Sequence, residues 1–342
     1  VQLDQNNNMK SISAIAHLKI PNDAESPQRP KRLHCCFEAV SRWVNNIQMN
    51  RTTLFITPWI CLAWICLAWI CLTAGCTRFD LLNTISPPIG CTRTADIAYG
   101  PLPREKLDVY EPHHAGPGKK RIVIFFYGGY WKVGSKNDYR FVGQALSSED
   151  FIAVLPDYRL YPSVIFPAFV QDGAMAVKWV HDNARRLGGD PDHIYLMGHS
   201  AGAHIAALLS LDPKYLRCVG LDRGVIRGFA GLSGPYDFKI GPELRPAFGM
   251  PPTTGPVNPD IEPIHFVDGK EPPMLLLQGG NDHTVEPGNT TRLADKIRAA
   301  GGQVTAIIYP GRSHVDLALS LSIPFRWIAP ALRDSAAFFR SH

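Results

Sequence analysis

Three side chains of types suited to acyl transfer follow one another in this chain of 342 residues. Ser200 sits in Gly198-His199-Ser200-Ala201-Gly202, between an apolar run ending at Met197 and an Ala/Leu-rich stretch beginning at Ala203. Between a strand and a helix, a G-x-S-x-G pentapeptide makes a sharp turn whose small flanking residues lift the serine hydroxyl clear of the sheet. The pentapeptide alone is a weak signal. Its weight comes from Asp282, after the apolar run 273–280, and His314, after the run 304–311, in the order Ser, Asp, His. A serine hydroxyl is a poor nucleophile until a neighbouring base takes its proton. His314 is the candidate base, and Asp282 the acid that fixes its tautomer and stabilises the imidazolium. Glu286 and Asp237 are alternatives to Asp282. His283 competes with His314, but its adjacency to the acid places it badly for bridging to the serine. His199 and His204, on either side of the pentapeptide, read as packing or solvent-exposed groups.

Acyl transfer also needs donors aimed at the developing oxyanion. One is the backbone N–H of Ala201, directly after the nucleophile. The other source is the loop after the first buried strand, Tyr127-Gly128-Gly129-Tyr130-Trp131, where paired glycines let the backbone approach a ligand. An ordinary turn is the bland alternative for that pair. Tyr130 and Trp131 are expected to border the substrate.

These residues need elements to position them. Stretches 95–100 and 106–110 read as a hairpin at the sheet edge. Runs at 121–127 and 151–155 read as buried strands, and those at 193–197, 225–232, 274–278 and 304–309 as further strands. Helices are expected at 138–147, at 166–187 with Val170, Ala174, Val177, Val180 and Ala184 at helical spacing, at 201–211 and at 289–300. Strands alternating with helices predict parallel βαβ units with right-handed crossovers. The Pro- and Gly-rich interval 233–273 has no clear period and reads as a small loop-like cap over the site.

Hydrophobic content of 45% and charge of 19% are ordinary for a globular protein with a large core. Of the net charge of +5, residues 1–78 carry +4, so the remainder is nearly neutral and lacks the basic stripe that nucleic-acid binding requires. No charge falls between Arg51 and Arg78, and Trp-Ile-Cys-Leu starts at Trp59, Trp64 and Trp69. A period of five gives no polar face as helix or strand, so the segment belongs in lipid. It ends in Leu72-Thr73-Ala74-Gly75-Cys76, which resembles a bacterial lipobox with Cys76 as the lipidated residue; an uncleaved signal anchor is the alternative. Met49-Asn50-Arg51 supplies a short basic start. The expected organisation is an upstream leader over 1–48, a lipoprotein-type signal or anchor over 49–76, a linker over 77–94 and a catalytic domain over 95–342. Either anchor places that domain outside the bacterial cytoplasmic membrane, because the Lys/Arg excess precedes the span. Cys91 and Cys218, the cysteines of the globular part, could form one disulfide, and no cysteine spacing resembles a zinc site. His113 and His114 read as a loop pair.

Taken together, these motifs resemble the α/β-hydrolase superfamily, and within it the hormone-sensitive-lipase-type esterases and the related group carrying His-Gly-Gly-x-Trp, which includes arylformamidases and feruloyl-esterase-like enzymes. Tyr127-Gly128-Gly129-Tyr130-Trp131 matches that motif except at its first position, and Asp157-Tyr158-Arg159-Leu160 and Phe166-Pro167-Ala168 resemble further family segments. The resemblance covers about residue 95 to the C-terminus. It implies a mostly parallel central sheet with helices on both faces, oxyanion contacts from Gly128, Gly129 and Ala201, and hydrolysis of a small-molecule ester through an acyl-enzyme, with no metal or cofactor. It leaves open an arylformamidase-like amidase and a feruloyl or acetyl polysaccharide esterase. A non-catalytic envelope-binding lipoprotein is the reading from another class. With few residues between Cys76 and the first strand, the family's helical N-terminal cap is not expected here. Where the family has His, Tyr127 predicts a preserved oxyanion hole with altered loop anchoring.

Overall fold

The computed structural model describes residues 78–86, 90–113, 119–253 and 255–342. The chain divides into two units, Val1–Ala74 and Gly75–His342. The leader, the five-residue repeat, Cys76 and His114 lie outside the described residues.

Eight strands form one sheet: β1 Cys91–Ala98, β2 Lys106–Pro112, β3 Lys120–Phe126, β4 Ile152–Pro156, β5 Gly189–His199, β6 Ile226–Leu232, β7 Met274–Gly279 and β8 Val304–Tyr309. Their spatial order is β1-β2-β4-β3-β5-β6-β7-β8. β1 and β2 pair antiparallel, as do β2 and β4, and all remaining pairs are parallel. The inner parallel strands are runs without alternation because both of their faces are covered: Ile122–Phe126, Ile152–Pro156 and Met274–Gly279 are buried throughout, whereas the parallel edge strand β8 is only partly buried. β1 is half exposed at the edge.

The connections are α1 Arg78–Ile85, α2 Arg140–Ser147, α3 Ala168–Asn183, α4 Ala201–Leu211, α5 Pro213–Arg217, α6 Gly288–Ala299, α7 His314–Leu319 and α8 Ala331–Ser341. They lie on both faces. Phe126 reaches Gly173 of α3 and Gly202 of α4, whereas the Tyr195 ring lies 5.1 Å from Phe339 of α8. Register pairs Phe126 with Gly198, three residues from Tyr195, so the two-residue period of a strand puts Phe126 and Tyr195 on opposite faces. Mostly parallel and doubly covered, the sheet has the α/β-hydrolase fold that the motifs imply.

Two boundaries differ from expectation. The stretch read as a linker contains α1 and the first residues of β1. α1 is held by Asn83, which donates to Asn137 O and Asp138 O and accepts from Phe141 N; such tertiary contacts leave no periodic trace in the sequence. The stretch 166–187 becomes α3 followed by a 3-10 turn over Ala184–Leu187, closed by Gly188 in the left-handed conformation. Cys91 and Cys218 are both free, so the contemplated disulfide is not formed. No helix among the described residues is long and apolar enough to cross a membrane.

Candidate active site

The chemistry-bearing residues all follow the carboxyl ends of parallel strands, where ligands bind in such sheets. Ser200 links β5 to α4 with φ 55° and ψ −122°, a left-handed conformation that costs an L-residue about 1–3 kcal/mol. Its N–H is held by Leu232 O at 2.9 Å. The flanking glycines are required by contact: a Cβ at Gly202 would come within 2.1 Å of Phe126 O, and one at Gly198 within 2.5 Å of Gly202. Small residues here let the strand, the turn and the helix pack against β3.

Asp282 follows β7 and is fully buried at its side chain. Oδ1 accepts the N–H groups of Thr284 and Val285, each at 2.9 Å. Oδ2 accepts from Gln278 Nε2 at 2.9 Å and from His314 Nδ1 at 2.8 Å. Four donors saturate a carboxylate. Burial acts to raise this carboxyl, but the hydrogen bond and charge of His314, with the Val285 amide, prevail and hold it below its ordinary value. A carboxylate on Nδ1 makes that nitrogen the donor and leaves Nε2 of His314 free to accept a proton.

His314 opens α7. Ser313 caps that helix reciprocally: its Oγ accepts from Asp316 N at 3.3 Å, and Asp316 Oδ2 accepts from Ser313 N at 2.8 Å. The imidazole is brought beside the serine turn. Its ring centre lies 4.8 Å from that of His199, and its carbonyl is bound by His199 Nε2 at 3.1 Å. Among the described residues Ser200 Oγ makes no hydrogen bond, so its hydroxyl is left to the cleft that it faces.

The glycine loop folds against the same turn. A Cβ at Gly128 would stand 3.0 Å from that of Ser200, and one at Gly129 would stand 2.0 Å from Val133 O. Gly129, Tyr130 and Trp131 have φ of 143°, 55° and 58°. The Gly128 backbone is engaged with the Tyr139 hydroxyl. The N–H groups of Gly129 and Ala201, expected from the motifs to face an oxyanion, have no acceptor among the described residues, and Gly128 lies close against the serine turn.

Ser200 and Ala201 open into a cleft of about 1180 Å³. Tyr130, 51% exposed, stands at its edge. Trp131 also borders the cleft but is buried, packed against Phe169, His204, Phe238 and Phe248. The 233–273 excursion supplies much of the wall, and its helical elements among the described residues are short 3-10 turns. The alternative acids stand apart from the histidine: Asp237 pairs with Arg292, and Glu286 and His283 are exposed in the wall. No cluster suited to a metal occurs among the described residues.

Sequence reasoning missed Gln278, which holds Asp282 and receives Thr290 Oγ1 on its Oε1 at 3.2 Å. A lone amide in the buried Met274–Gly279 run was the available signal. It also left open the state of His199 and His204, which are both buried. Burial, reinforced by His314, pushes His199 down to about 3, and burial pushes His204 down to about 4.

Comparison with known proteins gives a consistent set of similarities. The BD-FAE family model matches residues 107–220 and that of the prolyl oligopeptidase family residues 170–332. The chain is 33% identical over 242 residues to the isoprenylcysteine alpha-carbonyl methylesterase ICME of Arabidopsis thaliana, covering 65% of this chain and 56% of that protein. It is 29% identical over 259 residues to esterase LipQ of Mycobacterium tuberculosis, covering 71% and 61%. The chain thus spans little more than half the length of these curated relatives. Among solved structures, a truncated carbohydrate esterase from gut microbiota superposes with TM-score 0.62 at 22% identity over 75% of this chain and 98% of that one. Esterase B from Lactobacillus rhamnosis superposes with TM-score 0.66 at 20% identity over 82% and 94%.

Proposed function

We propose that this chain, whose sheet has the α/β-hydrolase fold, is a serine carboxylesterase acting on small acyl or aryl esters. The observation that carries this reading is the imidazole of His314, held on a saturated Asp282 carboxylate beside the turn that opens Ser200 into the cleft. Ser200 Oγ attacks the ester carbonyl as His314 Nε2 takes its proton. The oxyanion receives the amides of Ala201 and Gly129. His314 returns the proton to the departing alcohol, then activates the water that releases the acid. The relatives named as esterases support ester over amide cleavage.

The test is labelling by a fluorophosphonate together with turnover of aryl esters. Ser200→Ala is expected to abolish labelling and lower kcat by at least about 10⁴-fold. Near-normal activity in that variant would refute the reading. Faster cleavage of a formanilide or a peptidyl anilide than of esters would reassign the substrate class.

The leader motifs support export and attachment of the protein to the envelope membrane through Cys76. Radiolabelled palmitate is expected to enter the wild type and not Cys76→Ser in a bacterial host. Equal incorporation into both would exclude that site.

A further inference from the structure

One departure from the family motif, Tyr127 in place of His, has a structural complement in the edge hairpin. Tyr127 is buried, its ring stacked 4.5 Å from that of Tyr158 and 5.9 Å from that of Tyr139. Its hydroxyl accepts from Arg104 Nη2 at 2.7 Å. Arg104 lies in the turn joining β1 to β2, and two further bonds go to the same region: Nη2 to Gly134 O at 2.9 Å and Nε to Tyr158 O at 2.8 Å. Asp157 Oδ1, 3.5 Å away, balances its charge. The guanidinium therefore ties the first residue of the glycine loop to the residue where the loop turns back.

A second pin holds the far end. Lys136 is 1% exposed, and its Nζ lies 2.6 Å from Asp96 Oδ1 and 2.9 Å from Asp108 Oδ1, carboxylates of β1 and β2. Between the pins stand the three consecutive positive φ values of Gly129, Tyr130 and Trp131. Such a backbone persists only where its surroundings over-determine it. Planar, charged and forked, an arginine suits that task better than a flexible cation does.

We propose that Arg104, acting through the Tyr127 hydroxyl, is a positioning residue that aims the Gly129 amide at the oxyanion. This rests on the serine-esterase reading above. Loss of a whole oxyanion donor costs about 10²–10³ in kcat, and a misaimed donor should cost part of that, roughly 10- to 100-fold. Tyr127→Phe keeps the ring stack and removes only the hydroxyl.

The experiment measures kcat, KM, phosphonate inactivation rate and melting temperature in wild type, Tyr127→Phe, Arg104→Gln and the double variant. Expected are a 10- to 100-fold fall in kcat and inactivation rate, KM within about twofold, and a double variant no worse than the poorer single. A Tyr127→Phe enzyme whose kcat stays within twofold of wild type, or losses that multiply in the double variant, would overturn the proposal. A fall in kcat that only tracks a fall in melting temperature across the variants would also overturn it. Activity surviving in Ser200→Ala would instead strike the esterase reading, and this inference with it.

Discussion

At Asp282 the two carboxylate oxygens are used differently, and that division makes the residue hard to replace. Oδ1 faces two backbone N–H groups, and Oδ2 faces the Gln278 amide and His314. In Asp282→Asn the new NH₂ must point at donors whichever way it turns. If it faces His314, the imidazole is driven to the tautomer with its proton on Nε2, which cannot accept from serine. We expect kcat to fall by about 10⁴-fold with the fold intact. Steady-state kinetics beside circular dichroism checks this, and a loss below tenfold contradicts the role of Asp282. That Asp282 is a partner for His314 was legible from strand-end position and chain order. The saturation of its oxygens was not, since Gln278 becomes a partner only when β7 and the following turn fold together.

At the level of elements, α7 turns a local capping signal into placement of the proposed base. Ser313 and Asp316 satisfy the first turn of a six-residue helix whose opening residue is His314. Ser313→Ala should cost about 1 kcal/mol of stability and lower kcat several-fold, because the freed turn carries the imidazole. Ser313→Thr should restore both. Urea midpoints and kcat measured together decide it; a stability loss with kcat unchanged would show that the cap does not hold the histidine. The hairpin β1–β2 illustrates the opposite case. Its strands were legible, yet its service to the glycine loop depends on Arg104 and Lys136 reaching across β4, which intervenes between β2 and β3 in the sheet.

For the whole molecule, two histidines buried without charge set the acid limit. Burial pushes folded His199 down to about 3 and folded His204 down to about 4, whereas an unfolded histidine binds a proton near 6.5. Between those values the unfolded state holds more protons, so stability falls as pH falls. Their full contribution is present above about pH 6.5 and is lost progressively toward the folded values, each proton adding a slope of about 1.4 kcal/mol per pH unit. Asp282, depressed in the folded state, adds its own loss lower still, below about pH 3.8. Urea unfolding at pH 7, 6, 5 and 4.5 should show a steadily falling midpoint. A flat profile would mean that both imidazoles take up protons in the native state as they do in the unfolded chain.

By itself the sequence determined what is local: the apolar runs of the parallel strands, the glycine-flanked serine turn, the chain order of serine, acid and base, and the departure at Tyr127. Those signals depend on the backbone period and on side-chain size within a few residues, so they survive without a fold. Only the tertiary structure decided which polar groups meet. The His199 ring bonds a carbonyl 115 positions away, Arg104 bridges two points of a distant loop, and Trp131 joins an aromatic cluster with only part of it bordering the cleft. Strand order and crossovers set those encounters, because hydrogen bonds and ring contacts act over a few ångströms and chain distance does not encode them.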